Sequence, residues 1–404
     1  MSITATTSVS EHVFRQRSST RHRHRLDWLN PGWACVAAAL LLSGIGIAII
    51  ATTEPGLAVR QAVFLGLAIV GCAVAALPHY RWLQRLALPI MLGVLALLVF
   101  VLIPWVPESI VAERNGARRW INLGVTDFQP SELAKIAYIV ALATYLRTRR
   151  TYRRFFGLAV PFALTLVPMG LIFLEPDLGT ALLFMPTLFA ILIAAGARLR
   201  HLALIVLVGA VCAPIAYPLL RPHQKDRIQA LYYQMRGDKR HVQGIGFQGD
   251  RAMRLVGAGE VAGVGRRLAA DLVEYNNLPE EHNDMVFAVV NCRWGLLGGL
   301  ATWGLFAVFI SAGLLTAGLC KDPFGRLLAV GITVILFTQM TINTAMTIGL
   351  LPITGMTLPF VSYGGSSLIT TWLMVGLLLN VGLRRPHYLA RDSFDFDREE
   401  VFEV

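Results

Sequence analysis

The sequence predicts an all-α polytopic membrane protein with ten transmembrane helices, both termini cytoplasmic, and a large extracytoplasmic loop between helices 7 and 8. Three observations carry this. Of 404 residues, 55% are hydrophobic and only 15% charged, where a soluble domain carries roughly 25% charged. Mean hydropathy is +0.59. The basic excess, 36 Lys and Arg against 25 acids for a net charge of +11, sits in short clusters between long apolar runs, which suits membrane borders better than nucleic acid. A soluble enzyme, a disordered chain and a disulfide-built secreted scaffold are excluded.

Crossing the hydrocarbon takes about 20 mostly apolar residues. Ten segments qualify: 33–51, 61–77, 86–103, 131–146, 156–174, 180–197, 201–220, 284–317, 327–347 and 366–383. The first thirty residues are polar and hold five arginines, so 1–32 reads as a disordered cytoplasmic tail. The run 33–51 is longer than a signal-peptide core and stays as an anchor. The eighth segment, 34 residues, would be about 51 Å long at 1.5 Å per residue. It must tilt, break or protrude, and Gly298-Gly299 marks a weak point.

With the amino terminus inside, the inner segments hold twenty Lys and Arg and the four short outer loops hold four. That asymmetry places both termini in the cytoplasm. The remaining outer segment, 221–283, carries ten basic residues, but long loops vote poorly under this rule. It is glycine-rich from Gly244 to Gly265. Together with 104–130 it is too rich in character to be a mere connection. Residues 33–383 thus form one membrane domain, followed by a tail, 384–404, that starts basic and ends acidic. The five cysteines form no Cys-x-x-Cys pair and read as packing residues.

Ionisable groups at membrane depth are costly and therefore functional candidates. Lys135 lies one turn into the fourth span, three residues after Glu132, so the two share a helix face and can pair. Such a pair could equally pin a helix end. The turn Glu175-Pro176-Asp177-Leu178-Gly179-Thr180 holds two carboxylates with no basic neighbour in sequence, so they are hydrated, paired across space, or part of a capped turn. Asp284 opens the eighth span as either an N-cap or a functional acid. Arg293, nine residues on, falls on the opposite helix face and pairs elsewhere. The stretch from Gly349 to Ser367 is too apolar for an open loop and too broken by Pro and Gly for a helix. Backbone of that kind belongs in a cavity wall.

These segments together resemble the SEDS family, the FtsW and RodA membrane glycosyltransferases of bacterial wall synthesis. Four motifs carry the resemblance, in order: the stretch Gly116-Ala117-Arg118-Arg119-Trp120-Ile121-Asn122-Leu123-Gly124 with Gln129-Pro130-Ser131-Glu132, the turn 175–180, the Leu278-Pro279-Glu280 to Asp284 pattern, and the Gly349–Ser367 stretch. The resemblance covers nearly the whole chain and implies a peptidoglycan glycosyltransferase that polymerises lipid II, the undecaprenyl-pyrophosphate-linked disaccharide-pentapeptide, during division or elongation. It implies Asp284 as catalytic base, Arg119, Lys135 and Arg118 as pyrophosphate ligands, and Glu132 and Asp177 as residues that orient them. It also implies the bacterial inner membrane and a class B penicillin-binding protein transpeptidase as partner.

A divalent cation, Mg or Mn, bridging Asp284 and pyrophosphate suits carboxylate chemistry. Two other readings also suit ten spans with buried charges, a lipid II flippase or transporter and a non-catalytic scaffold of the wall-synthesis complex. Four positions depart from the family pattern: Cys292 and Arg293 stand where two adjacent acids are usual, Asn283 stands where a threonine is usual, and Glu260 interrupts a small-residue stretch.

Overall fold

The computed structural model describes residues 29–114, 117–124, 127–149, 151–219, 222–236 and 246–384. The two tails read from the sequence lie almost wholly outside these described residues, as do Gly116 and Gly244. All ten apolar segments are helical: α1 (Gly32–Thr53), α2 (Pro55–Ala76), α4 (Ala87–Leu102) after the short α3 (Arg81–Arg85), α5 (Pro130–Thr148), α6 (Ala159–Leu174), α7 (Leu178–Ala194), α8 (Leu199–Ala216), α12 (Val286–Leu319), α13 (Pro323–Thr347) and α14 (Gly365–Leu383). Six of the apolar helices are long and apolar enough to cross a membrane, and α4, α7 and most of α8 are shorter apolar helices. The chain is a mostly helical, multi-pass membrane protein.

Proline sits in the first turn of α2, α5 and α13, where its missing N–H costs nothing. Asp177 caps α7 through Thr180 N at 3.1 Å, and Asp322 caps α13 through Gly325 N at 3.2 Å. α13 and α14 are the most deeply buried spans. α14 lies along α2 and α1, α12 packs on α1 and α13, and α13 also touches α7 and α5. Phe360 joins Phe306, Phe309 and Trp372 in an aromatic cluster inside the bundle. α2, by contrast, turns Val59, Val63, Leu67, Val70 and Val74 outward. An apolar face of that size needs lipid around it.

Three features differ from expectation. First, the fold is not all-α. The segment after α4 forms a three-stranded antiparallel sheet, β1 (Val111–Arg114), β2 (Ala117–Asn122) and β3 (Asp127–Phe128). Strands this short give little periodic signal, and their pairing is tertiary in origin. Second, the long segment after α8 is not structureless. It contains α9 (Pro222–Met235), α10 (Phe247–Ala258) and α11 (Arg266–Asn276). Ala252 and Leu255, and Ala269 and Val273, form the buried stripes of α10 and α11, the i, i+3/i+4 spacing of amphipathic helices.

Third, α12 breaks at Gly295, with φ 65° and ψ −164°, rather than at Gly298-Gly299. The reason is a strap from Glu260 to Gly265 that pairs with the break. Val264 N and Gly265 N donate to Cys292 O and Arg293 O, while Leu296 N and Leu297 N donate to Glu260 O and Val261 O. The strap thus satisfies the backbone groups that the interrupted helix leaves open. A Cβ on Gly295 would lie 2.4 Å from Gly263 N, so only glycine fits. Arg293 pairs elsewhere than with Asp284, donating to Ala48 O at 2.5 Å and Thr52 Oγ1 at 2.8 Å at the end of α1.

Candidate active site

A cavity of 1610 Å³ opens at the end of the bundle where α2, α5, α7, α12 and α14 begin. The motifs that lie far apart in sequence meet there. β2 supplies Arg119, α5 supplies Glu132 and Lys135, the turn before α7 supplies Asp177, and the turn before α12 supplies Asp284. The irregular stretch 353–367 forms one wall, as its composition predicts.

Arg118 is placed differently. Neighbouring side chains on a strand point to opposite faces. Arg119 therefore faces the cavity, with its guanidinium 3.8 Å from Asp177 and stacked over Trp120. Arg118 is absent from the cavity lining and donates to the carbonyls of Pro104, at 2.8 Å, and Val106, at 2.5 Å. It braces the sheet and is not available at the cavity.

Glu132 and Lys135 form the expected pair at 2.8 Å, both buried. Lys135 also donates to Gln339 Oε1 at 3.2 Å. Two of its three N–H donors are thus engaged and the ammonium lines the cavity. Asp177 accepts from Gln129 Nε2 at 2.9 Å in addition to its capping bond. Glu175 of the same turn is buried, does not line the cavity, and has no partner for either carboxylate oxygen. Burial, then Asp177, push its pKa to about 9 against the pull of Arg119, so it is neutral at neutral pH.

Asp284 is not an N-cap. α12 begins at Val286, its cap residue is Met285, and no side chain caps it. Asp284 is 5% exposed, and among the described residues the side chain that reaches its carboxyl is Gln248, whose Nε2 stands 3.5 Å away. Burial and the neighbouring Glu280 push its pKa to about 7, opposed by its backbone hydrogen bond and by Arg227. A carboxyl titrating near 7 is matched to proton abstraction at neutral pH.

The sequence reading missed Arg227 and Gln248. Arg227, on α9, lines the cavity near Arg119, Asp177 and Asp284, and burial lowers its pKa. It is one of ten basic residues in its loop, and nothing in the sequence marks it out. Gln248 stands at the start of α10, whose amphipathic pattern could have predicted the helix but not that it covers Asp284. Among the described residues no group of three His, Cys, Asp or Glu could hold a metal ion. A cation at Asp284 would need most of its ligands from a bound substrate.

A multi-pass helical bundle with a cavity at one end that gathers a buried acid and several cations defines a membrane protein whose cavity suits an anionic ligand. The model of the FtsW, RodA and SpoVE cell cycle protein family matches residues 36–386, and the chain belongs to this family. It is 38% identical over 327 residues, 80% of this chain and 85% of the relative, to the probable peptidoglycan glycosyltransferase FtsW of Geobacter sulfurreducens. It is 34% identical over 329 residues, 80% and 86%, to stage V sporulation protein E of Bacillus subtilis. A chain of a solved peptidoglycan synthase complex, in which polymerization and crosslinking are coordinated, is similar at 31% identity and TM-score 0.76, covering 89% of this chain and all of that one. The rod shape determining protein RodA of Thermus thermophilus matches at 29% identity and TM-score 0.65, covering 89% and 98%.

Proposed function

We propose that the chain is a peptidoglycan glycosyltransferase that polymerises lipid II, with Asp284 as the general base. The observation that carries this reading is the single cavity shared by Asp284, Arg119, Lys135 and Arg227. A sugar hydroxyl of one lipid II attacks the anomeric carbon at the end of the growing strand. The hydroxyl proton passes to the Asp284 carboxylate as the new glycosidic bond forms. The bond from the anomeric carbon to the lipid diphosphate breaks, and the diphosphate leaves with the electron pair. Arg119, Arg227 and Lys135 hold the charge that develops there. Glu132 holds the Lys135 ammonium in place, and Asp177 does the same for the Arg119 guanidinium.

The geometry of the bundle and the asymmetry of twenty inner against four outer Lys and Arg support ten crossings of the bacterial inner membrane, with both termini cytoplasmic and the cavity on the outer side. The similarity to a chain of a synthase complex supports a crosslinking partner, a class B penicillin-binding protein transpeptidase.

Polymerisation of purified lipid II in detergent, with no other transferase present, tests the reading. Asp284→Asn should lose glycan formation while the protein stays folded. A flippase would show no such activity to lose, and a scaffold would tolerate the change and still recruit its partner. Undiminished polymerisation by Asp284→Asn would remove the assignment.

A further inference from the structure

The Asp284 carboxyl has almost no side-chain partner, yet a general base must hold its place to a fraction of an ångström. What holds it is the backbone beneath it. Three consecutive carbonyls of its turn each accept a hydrogen bond from α13 or from the irregular cavity wall. Tyr363 N donates to His282 O at 2.8 Å. Ser362 Oγ donates to Asn283 O at 2.5 Å. Asn343 Nδ2 donates to Asp284 O at 2.8 Å.

Each side-chain donor also ties the wall to itself or to α13. Ser362 Oγ accepts from Leu358 N at 2.7 Å, so one hydroxyl links the wall's own turn to the turn of the acid. The second proton of the Asn343 amide goes to Met356 O at 2.6 Å. Asn343 is fully buried. The wall is anchored in turn by Gln61 of α2, which donates to Ser362 O at 2.9 Å and accepts from Gly364 N at 3.3 Å. The turn meets Gly355 of the same wall edge-on: a Cβ there would stand 3.9 Å from Asp284 Oδ2.

We propose that Ser362 and Asn343 are positioning residues for the transfer reaction: they clamp the turn 282–284 to the cavity wall and so fix where the Asp284 carboxylate meets the attacking hydroxyl. Neither acts on substrate through this clamp. Their contribution is to geometry in the transition state and not to holding lipid II, which predicts a loss in kcat with little change in KM. The inference rests on Asp284 as the base.

The test is steady-state polymerisation of lipid II by the full chain. Ser362→Ala removes the donor to Asn283 O and should lower kcat by about 10- to 100-fold, with KM for lipid II within about twofold. Ser362→Thr keeps the hydroxyl and should recover most of kcat. Thermal unfolding of each variant reports folding separately. Should Ser362→Ala not fold, Ser362→Cys, with the same shape and a weaker donor, carries the measurement and should fall between the parent and Ala values. Wild-type kcat in Ser362→Ala, or a loss confined to KM, or no recovery in a folded Ser362→Thr, overturns the clamp. Full activity in Asp284→Asn overturns the base assignment and the clamp with it. An inactive Asp284→Asn beside a fully active Ser362→Ala sinks the clamp alone.

Discussion

Two aspartates stand just before the two longest helices, at opposite ends of the bundle, and the chain treats them in opposite ways. Asp322 precedes α13 and is satisfied on all sides. It caps the helix through Gly325 N, and its other oxygen faces Arg81 at 3.4 Å and Arg147 at 3.7 Å. Asp284 precedes α12, caps no helix, and among the described residues meets one side-chain donor, Gln248, at 3.5 Å. The first is the ordinary use of an acid at a helix start, where the dipole and an N-cap bond favour it. The second gives up that stabilisation. A carboxylate so sparsely bonded keeps lone pairs for something else, which is what a proton acceptor needs.

The sharpest test of that contrast is to neutralise each acid. Asp284→Asn is expected to lower the polymerisation rate by about 10²- to 10⁴-fold, the usual range for removing a general base, in a lipid II assay in detergent. Asp322→Asn keeps an oxygen to cap the helix but loses the charge that faces the two arginines; it is expected to leave kcat of the folded protein within about twofold while lowering stability by about 0.5–1 kcal/mol, read as an earlier thermal unfolding.

Arg227→Ala sharpens the comparison from the other side. Arg227 pulls the Asp284 pKa down, so its removal raises that pKa and moves the acid limb of the rate profile to higher pH. Loss of one charged ligand to the diphosphate also raises KM by about tenfold. A pH–rate profile of parent and variant checks both.

The smallest expected effect is on stability. The Asp284 pKa rises from 3.8 to about 7 on folding. The native state therefore binds more protons than the unfolded state between those values, and stability falls as pH rises through this window. The penalty is absent below pH 3.8 and fully present above about pH 7. Asp284→Asn removes it, so the variant should melt a few degrees above the parent at pH 8, and the two should converge near pH 4. Equal melting temperatures at pH 8 would show that Asp284 is not strained.

Most of the helical scaffold was legible because a membrane span is a one-dimensional signal: a run of about 20 apolar residues needs no knowledge of its neighbours. The Glu132–Lys135 pair was legible for the same reason, since residues three apart on a helix always face the same way. Arg118 and Arg119 were not separable as neighbours in sequence. Only the strand that contains them sends one to the cavity and the other to the carbonyls of Pro104 and Val106. The break in α12 was misplaced because three nearby glycines are equally able to bend. The strap from Glu260 to Gly265 selects Gly295 by pairing with the open backbone there.

The sequence by itself determined that this is a membrane bundle, which apolar segments are helices, and which acids and bases sit near their ends, because hydrophobic length and charge placement are local properties of the chain. The tertiary structure alone decided which of those charges share a cavity, that Arg227 joins them from a polar helix, and that Asp284 is held by the backbone beneath it rather than by a partner. Those facts depend on distances between residues far apart in the chain, and burial and pairing, which set the chemistry of a carboxyl group, exist only once the chain has folded.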